Sequence, residues 1–451
     1  MHLQVEFSIF INHNSTMGES RRSFLKKSAA GLALFTILPR NVFGAMGGDK
    51  KYVAPSDQLT RGIIGVGGIG MSGLHFVSDE RCRLVSVCDV DRNHLDNALK
   101  KGVEKFGTKL QAYTDWRDLV HDSNVDIVHI ATPSHWHGIM AVESCRAGKD
   151  IFCEKPMTRT IGEGQKVVEA VHKYGRIFRL DTWFRFKDTF YGLGTTVEPL
   201  KKLVQSGLLG WPLTVRISGA TGFTWKFFWT GKENLVPQPV PAELDYDMWL
   251  GPAPYKPYNP HRVHQTFRGY WDYESGGLGD MGQHYIDPVQ YILGKDDTFP
   301  VKVEVDAPQQ HPDAVGIWRS ITYTYADGCK IILEGEGFES KGKVPYIEGP
   351  NGKVYKGFEC TIPNVMDVIN SLPDPEPRNT DFLECVRTRQ KFALAEDNGH
   401  HSCTIVNMGA CALRLGRTLN FDPDKQLFIG DDAANQLINQ PMRAPWGSMI
   451  L

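Results

Sequence analysis

The sequence predicts an α/β protein with a doubly wound parallel sheet in its N-terminal part. Two observations carry this. The apolar run Gly62-Ile63-Ile64 closes in a glycine-rich turn, Gly65-Val66-Gly67-Gly68-Ile69-Gly70. From there to about position 181, short apolar runs alternate with helix-like segments, the pattern of parallel strands joined by helical crossovers.

Within the turn, Gly65, Gly67 and Gly70 satisfy G-x-G-x-x-G, with Gly68 and Ile69 between them. The first glycine permits the tight turn and the second lets backbone approach a pyrophosphate. The third lets the following helix, expected over Met71 to Val77, pack on the strand. The next run, Leu84 to Asp89, ends in an acid 24 positions after Gly65. A carboxylate there accepts hydrogen bonds from ribose hydroxyls and repels a 2′-phosphate. This favours NAD over NADP, although the nearby Arg92 softens the preference; the alternative for Asp89 is a helix N-cap. A further strand, Val125 to Ala131, leads into Thr132-Pro133-Ser134-His135-Trp136-His137, then a helix over Gly138 to Ala147. The strand Asp150 to Cys153 then runs into Glu154-Lys155-Pro156. Ligands of such sheets bind at the carboxyl ends of the strands. Thr132, Pro133, His137, Glu154 and Lys155 therefore join the glycine turn and Asp89 as the expected cofactor contacts. For His137 the alternative is a surface histidine.

Upstream, Arg21-Arg22-Ser23-Phe24-Leu25-Lys26-Lys27 precedes an apolar stretch from Ala29 to Leu38 and small residues at Gly44 and Ala45. A charged head, a short apolar middle and a small-residue exit form a secretory signal. The twin arginine makes it resemble a Tat signal. Residues 1–45 are read as that segment and the destination as the periplasm. Met17 is the expected start, with 1–16 an artefact or an unusual extension. Tat cargo travels folded, so a cofactor loaded before export needs to be held tightly.

Composition excludes several classes. Of 451 residues, 41% are apolar and 23% charged, with a formal net charge of −2, so no basic surplus exists to neutralise nucleic-acid phosphates. No apolar run reaches the roughly 20 residues of a membrane span, which argues against an anchor. Nine cysteines include no C-x-x-C pair, so no metal site is expected.

Four ordered elements resemble the glucose–fructose oxidoreductase/inositol dehydrogenase (Gfo/Idh/MocA) family. They are the glycine turn, Thr132-Pro133 with His137, Glu154-Lys155-Pro156, and Gly276-Gly277-Leu278-Gly279-Asp280-Met281-Gly282-Gln283-His284. The resemblance implies a Rossmann domain, here 57–181, and a substrate-binding α/β domain, here 182–451, with a large, open, mostly antiparallel sheet. Trp211 to Ser218, Ile321 to Tyr325 and Lys330 to Glu334 read as its strands, with a hairpin turn at Asp327-Gly328. Thr380 to Arg389 and Cys403 to Leu419 read as helices. The Gly-Leu-Gly-Asp-Met-Gly variant and Leu250-Gly251-Pro252-Ala253-Pro254 look like the Tat-exported subgroup.

By the same resemblance, Lys155 binds substrate and relays a proton, and His284 works as general acid/base with Asp280 beside it. Four residues apart, Asp280 and His284 share one helix face. Trp183 and Arg185 are the expected further substrate contacts, with Arg179 and Lys187 near them. The family's usual Gln and Arg are replaced here by Arg179-Leu180-Asp181-Thr182-Trp183-Phe184-Arg185. Aromatics at Phe223 to Trp229 and Tyr270 to Tyr273 read either as a saccharide platform or as ordinary packing. The implied activity is NAD(P)-dependent oxidation of a CH–OH group in a sugar, glycoside or polyol. The alternatives are an NAD-dependent glycosidase working by transient oxidation, and a non-catalytic sugar binder. A homodimer or homotetramer follows by analogy.

Overall fold

The computed structural model describes residues 58–182, 184–186, 196–338 and 343–450. The expected signal segment 1–45, and also Trp183 and Lys187, lie outside the described residues.

Six strands form the first sheet: β1 (Leu59–Ile64), β2 (Cys82–Cys88), β3 (Gln111–Tyr113), β4 (Ile127–Ile130), β5 (Asp150–Glu154) and β6 (Phe178–Asp181). They pair in parallel in the order β3-β2-β1-β4-β5-β6. Both β4 and β5 are buried along their whole length, as strands covered on both faces must be. Their crossovers include α1 (Arg92–Phe106), α2 (Trp116–His121), α3 (His137–Arg146) and α4 (Ile161–Tyr174). The order reverses between β1 and β4, so a crevice opens at their carboxyl ends.

One expected helix is corrected. After the glycine turn the chain makes a single 3-10 turn, Ile69–Met71, and then bends through Ser72 to Phe76. The run Gly68-Ile69-Gly70-Met71-Ser72-Gly73 explains this, because its three glycines and a serine disfavour a helix interior. A phosphate there would meet loop amides, not a helix terminus.

The second sheet has eight strands in the order β12-β11-β7-β10-β9-β8-β13-β14. They are β7 (Thr214–Ile217), β8 (Lys302–Asp306), β9 (Ser320–Thr324), β10 (Lys330–Glu334), β11 (Ile347–Glu348), β12 (Lys353–Val354), β13 (Leu419–Asp422) and β14 (Leu427–Phe428). Its pairs are antiparallel except β7 with β10, so the sheet is mixed. The later helices are α5 (Val197–Gln205), α6 (Tyr246–Leu250), α7 (Gly276–Leu293), α8 (Val365–Ser371), α9 (Phe382–Thr388), α10 (Glu396–Leu415) and α11 (Asp432–Ile438). Helix α10 begins seven residues before the expected Cys403. It stops at Gly416, whose left-handed backbone caps it, which frees Leu419 for β13.

Helix α7 is buried at every position. It lies in one core with Val215 and Ile217 of β7, Tyr323 of β9, Ile331 of β10 and Met408 of α10. Its glycines serve that placement: a Cβ on Gly277 would lie 1.9 Å from the Trp225 carbonyl oxygen. The loop holding Trp225 therefore passes directly over the start of α7. The nine cysteines carry no disulfide, and all but Cys360 are buried, acting as small apolar residues.

Candidate active site

At the crevice between β1 and β4 lies a cavity of about 710 Å³. Its floor is the first sheet: Gly65, Gly67, Gly68, Ile69, Asp89, Thr132 and Pro133 all line it. The turn is clamped in place. Gly65 N–H donates to the Cys88 carbonyl at 2.8 Å, and Val66 N–H donates to Asp89 Oδ2 at 2.9 Å. Gly70 does not line the cavity. It sits against the turn, where a Cβ would lie 2.0 Å from the Gly65 carbonyl oxygen, so only glycine fits. These groups suit a dinucleotide: glycine backbone for a pyrophosphate, open at Gly68 and with the His94 ring over Gly67, and a carboxylate at the ribose end.

The roof comes from the second half of the chain. Trp229, Met248, Trp249, His264, Phe267 and Arg268 line it. At the Asp89 end the halves are stitched together: Arg92 N–H donates to the Glu243 carbonyl at 2.9 Å, and Asp245 N–H to that of Val90 at 3.0 Å.

Arg268 leads from the roof to the reactive cluster. Its Nε donates to Asp280 Oδ1 at 2.9 Å. Lys155 Nζ donates to the same oxygen at 2.9 Å and to the Asp280 carbonyl at 2.7 Å. Lys226 Nζ donates to Oδ2 at 2.7 Å. Burial alone would push the Asp280 carboxyl up, but Lys155, Arg268 and Lys226 outweigh it and hold the group well below the usual carboxylate range. A second carboxyl, Glu274, is fully enclosed just before α7. Burial pushes it up to about 7, with Asp280 adding to the rise and Arg268 and Lys155 opposing it. The expected site brings Lys155 and Asp280 together; Lys226, Arg268 and Glu274 were not foreseen.

His284 follows one turn along α7 from Asp280. Its Nδ1 lies 2.9 Å from Thr182 Oγ1 and its ring packs on Phe184, with centroids 4.3 Å apart. Thr182 directly follows β6, the first sheet's last strand, so this contact fixes the imidazole relative to the Rossmann half.

Several expected contacts are corrected. His137 is buried, with Nδ1 2.7 Å from the Pro156 carbonyl and Nε2 2.9 Å from the Thr132 carbonyl. It is a strut between the two loops at the carboxyl ends of β4 and β5; burial pushes it down to about 4, with the Pro156 and Thr132 carbonyls opposing the fall. Glu154 turns away from the cavity. Its Oε1 lies 3.1 Å from His75 Nε2 and 3.8 Å from His129 Nε2, all three side chains being buried. Arg185 is buried and its donors are taken by Asp287 at 2.7 Å and 2.9 Å and by Asp296 at 2.7 Å. It braces α7. Of the aromatic stretches, Phe223, Trp225, Tyr270, Trp271 and Tyr273 are buried as ordinary packing and Phe228 is exposed, while Trp229 lines the roof of the cavity.

The parallel sheet, the glycine turn and the acid at the tip of β2 define a Rossmann dinucleotide-binding domain joined to a second α/β domain. The chain belongs to the Gfo/Idh/MocA oxidoreductase family: residues 59–182 match its NAD-binding Rossmann fold and residues 193–448 its C-terminal alpha/beta domain. Among curated relatives, inositol 2-dehydrogenase of Salmonella paratyphi B is 32% identical over 159 residues, 35% of this chain and 44% of that protein. A glycosyl hydrolase family 109 protein of Shewanella baltica is 29% identical over 250 residues, 48% of this chain and 51% of that one. The chain thus matches about half the length of these relatives. The WlbA dehydrogenase of Bordetella pertussis, solved with NADH and UDP-GlcNAcA, shares the fold with a TM-score of 0.54 at 16% identity. That likeness covers 81% of this chain and 99% of that one.

Proposed function

We propose that this protein uses a tightly held NAD to oxidise a CH–OH group of a sugar, glycoside or polyol. The observation that carries this reading is one continuous path. The glycine turn and Asp89 form a cavity floor, and Arg268 of its roof reaches Asp280, which grips Lys155. When bound, the dinucleotide would accept the hydride from the alcohol carbon. The chain's own residues handle the proton. His284 takes it from the hydroxyl, or Lys155 takes it after passing a proton of its own to His284, and Asp280 stabilises the Lys155 ammonium in either case. Thr182 and Phe184 hold the His284 ring in one orientation. Asp89 supports NAD over NADP, because a carboxylate just after β2 would repel a 2′-phosphate. Export to the periplasm, supported by the twin arginine, and a homo-oligomeric state belong to the same reading.

A second reading is favoured by the roof. The stitching at Glu243 and Asp245 covers the Asp89 end of the cavity, so a cofactor inside exchanges slowly and has to be reset within the site. A redox-cycling glycosidase does this in every turnover, and glycosyl hydrolase family 109 relatives are among the matches. One experiment tests both. Nucleotide released from purified protein is identified by mass spectrometry, and a glycoside panel is followed for nicotinamide absorbance and for aglycone. Absorbance with a keto-sugar supports the dehydrogenase, whereas aglycone without net NADH supports the glycosidase. Released material without nucleotide sinks both.

A further inference from the structure

We propose that Asp91, His94 and His264 form a divalent-cation site, selective for zinc, that pins the roof of the cavity to helix α1. The metal site stands on its own residues; the retention it confers rests on the dinucleotide reading above.

The three residues come from both walls. Asp91 caps α1, with Oδ1 accepting from Asn93 N–H at 2.8 Å and His94 N–H at 3.3 Å. That leaves Oδ2 turned toward His264 Nε2, 3.5 Å away. His94 sits in the first turn of α1, over Gly67 of the cavity floor. His264 opens the 3-10 segment His264–Gly269, which also carries Phe267 and Arg268. One ligand atom from each residue lies within 4.8 Å of the others, and the two rings meet edge-on with centroids 4.9 Å apart.

These spacings are loose for hydrogen bonds and close for a metal. Neither the 3.5 Å pair nor the 3.6 Å between His94 Nδ1 and Asp89 Oδ2 is a good hydrogen bond. Ligands held about 2.0–2.1 Å from a tetrahedral zinc stand ~3.3 Å apart, so small rotations bring all three onto one ion. Two imidazoles and a carboxylate with an open fourth position are an ordinary zinc set. His264 also has φ +54°, a left-handed backbone uncommon outside glycine, and such strain concentrates at functional positions.

Charge decides between this cluster and another of similar composition. The charged groups acting most strongly on His94 are Asp89 and Asp91, and on His264 they are His94, Asp91 and Asp89. The buried trio His75, His129 and Glu154 has the same ligand types, but Arg61 and Arg179 act on both of its histidines and already supply positive charge. The Asp91 cluster is also open to solvent, with the His94 and His264 side chains 34% and 42% exposed, so an ion has a way in.

The test uses the full chain with its nucleotide bound. Cobalt(II) is titrated as a spectroscopic stand-in, and zinc is measured by calorimetry. The expected result is one equivalent of cobalt with the visible bands of a tetrahedral site, displaced by zinc. Zinc affinity should fall at least tenfold in His94→Ala, Asp91→Asn and His264→Asn. Asparagine at 91 keeps a capping oxygen, and at 264 it tolerates the left-handed backbone, so both variants should fold. Nucleotide release should become at least fivefold faster on chelation in the parent chain and be indifferent to chelation in His264→Asn. Zinc affinity within twofold across the three variants overturns the site. Tight zinc binding that leaves the release rate unchanged overturns the pin. If the purified chain carries no nucleotide, the cobalt titration still reads the site, and only the dinucleotide reading fails.

Discussion

Gly65, Gly67 and Gly68 reach the cavity from a turn clamped among three strands, whereas Trp229, His264 and Arg268 reach it from short 3-10 turns, Phe227–Trp229 and His264–Gly269. The floor is fixed by backbone, through Gly65 N–H to Cys88 and Ala131 N–H to Ile64. The roof is fixed by isolated ties, such as Gly231 N–H to the Val315 carbonyl at 2.9 Å and Val315 N–H to that of Gly269 at 2.8 Å. The difference separates two jobs. Repeated backbone geometry supplies dinucleotide binding of a general kind. Side chains on irregular segments connect that binding to the chemistry of this chain.

The largest expected effect tests whether the two jobs are separable. Lys155 donates to Asp280 and does not line the cavity. Lys155→Ala should lower turnover by ~10³-fold, about 4 kcal/mol of transition-state stabilisation, within the range for a lost proton acceptor. Nucleotide content should stay at the parent level. Nucleotide lost along with activity would mean that floor and reactive cluster are one unit.

Breaking the floor comes next. A Cβ at Gly70 would meet a backbone oxygen at 2.0 Å, and backbone clamped by β1, β2 and β4 cannot give way cheaply. Gly70→Ala should cost about 3 kcal/mol of stability and empty the cavity of nucleotide, read by thermal melting and by absorbance of the denatured supernatant. A variant that melts like the parent with full nucleotide would show that the turn is softer than its hydrogen bonds indicate.

The same contrast explains what the sequence disclosed. Most strands of the first sheet, the glycine turn and Asp89 were legible because each depends on local pattern, apolar runs and glycine spacing, whereas Lys155 and Asp280, which lie in different domains, were brought to one site only by the family resemblance. Lys226, Arg268 and Glu274 were not legible. They lie in the stretch between β7 and α7 where helical and strand periodicity lapse, and they converge on Asp280 only through the path of the loops. Lys226 has φ +52°, which no residue pattern announces for a lysine. His137 and Arg185 failed for a related reason: residue type and strand-end position marked them as site groups, but burial against carbonyls and against Asp287 and Asp296 is a property of the packed chain. The short turn after Gly70 was foreseeable from its glycines.

Glu274 gives a smaller effect that reads the reactive cluster without substrate. Its carboxyl is raised from an ordinary 4.5 to about 7 by burial. An acid raised in the folded state favours folding while neutral. That contribution is whole below about pH 4.5 and is lost as pH rises through about 7. The parent chain should therefore lose up to about 3 kcal/mol relative to Glu274→Gln across this window, measured by denaturant unfolding of both at fixed pH values. Asp280 shifts the opposite way and acts at more acid pH in both chains, so it cancels. A stability difference independent of pH would mean that Arg268 and Lys155 keep Glu274 ionised throughout.

The smallest effect returns to the floor and asks how much of its selectivity is charge. Asp89 has a structural duty as well as a binding one: Oδ2 accepts from Val66 N–H and Oδ1 from Asp91 N–H, both at 2.9 Å. Asp89→Asn removes the charge but keeps one accepting oxygen, so the turn should survive with one backbone donor weakened. If repulsion of a 2′-phosphate sets the preference, the ratio of NADP to NAD dissociation constants should fall by about tenfold, roughly 1.4 kcal/mol, as measured by calorimetry on protein stripped of nucleotide. Arg92, at the start of α1, would then be free to meet the phosphate. A ratio that does not move would transfer the selectivity from Asp89 to the roof that closes over the same end of the cavity.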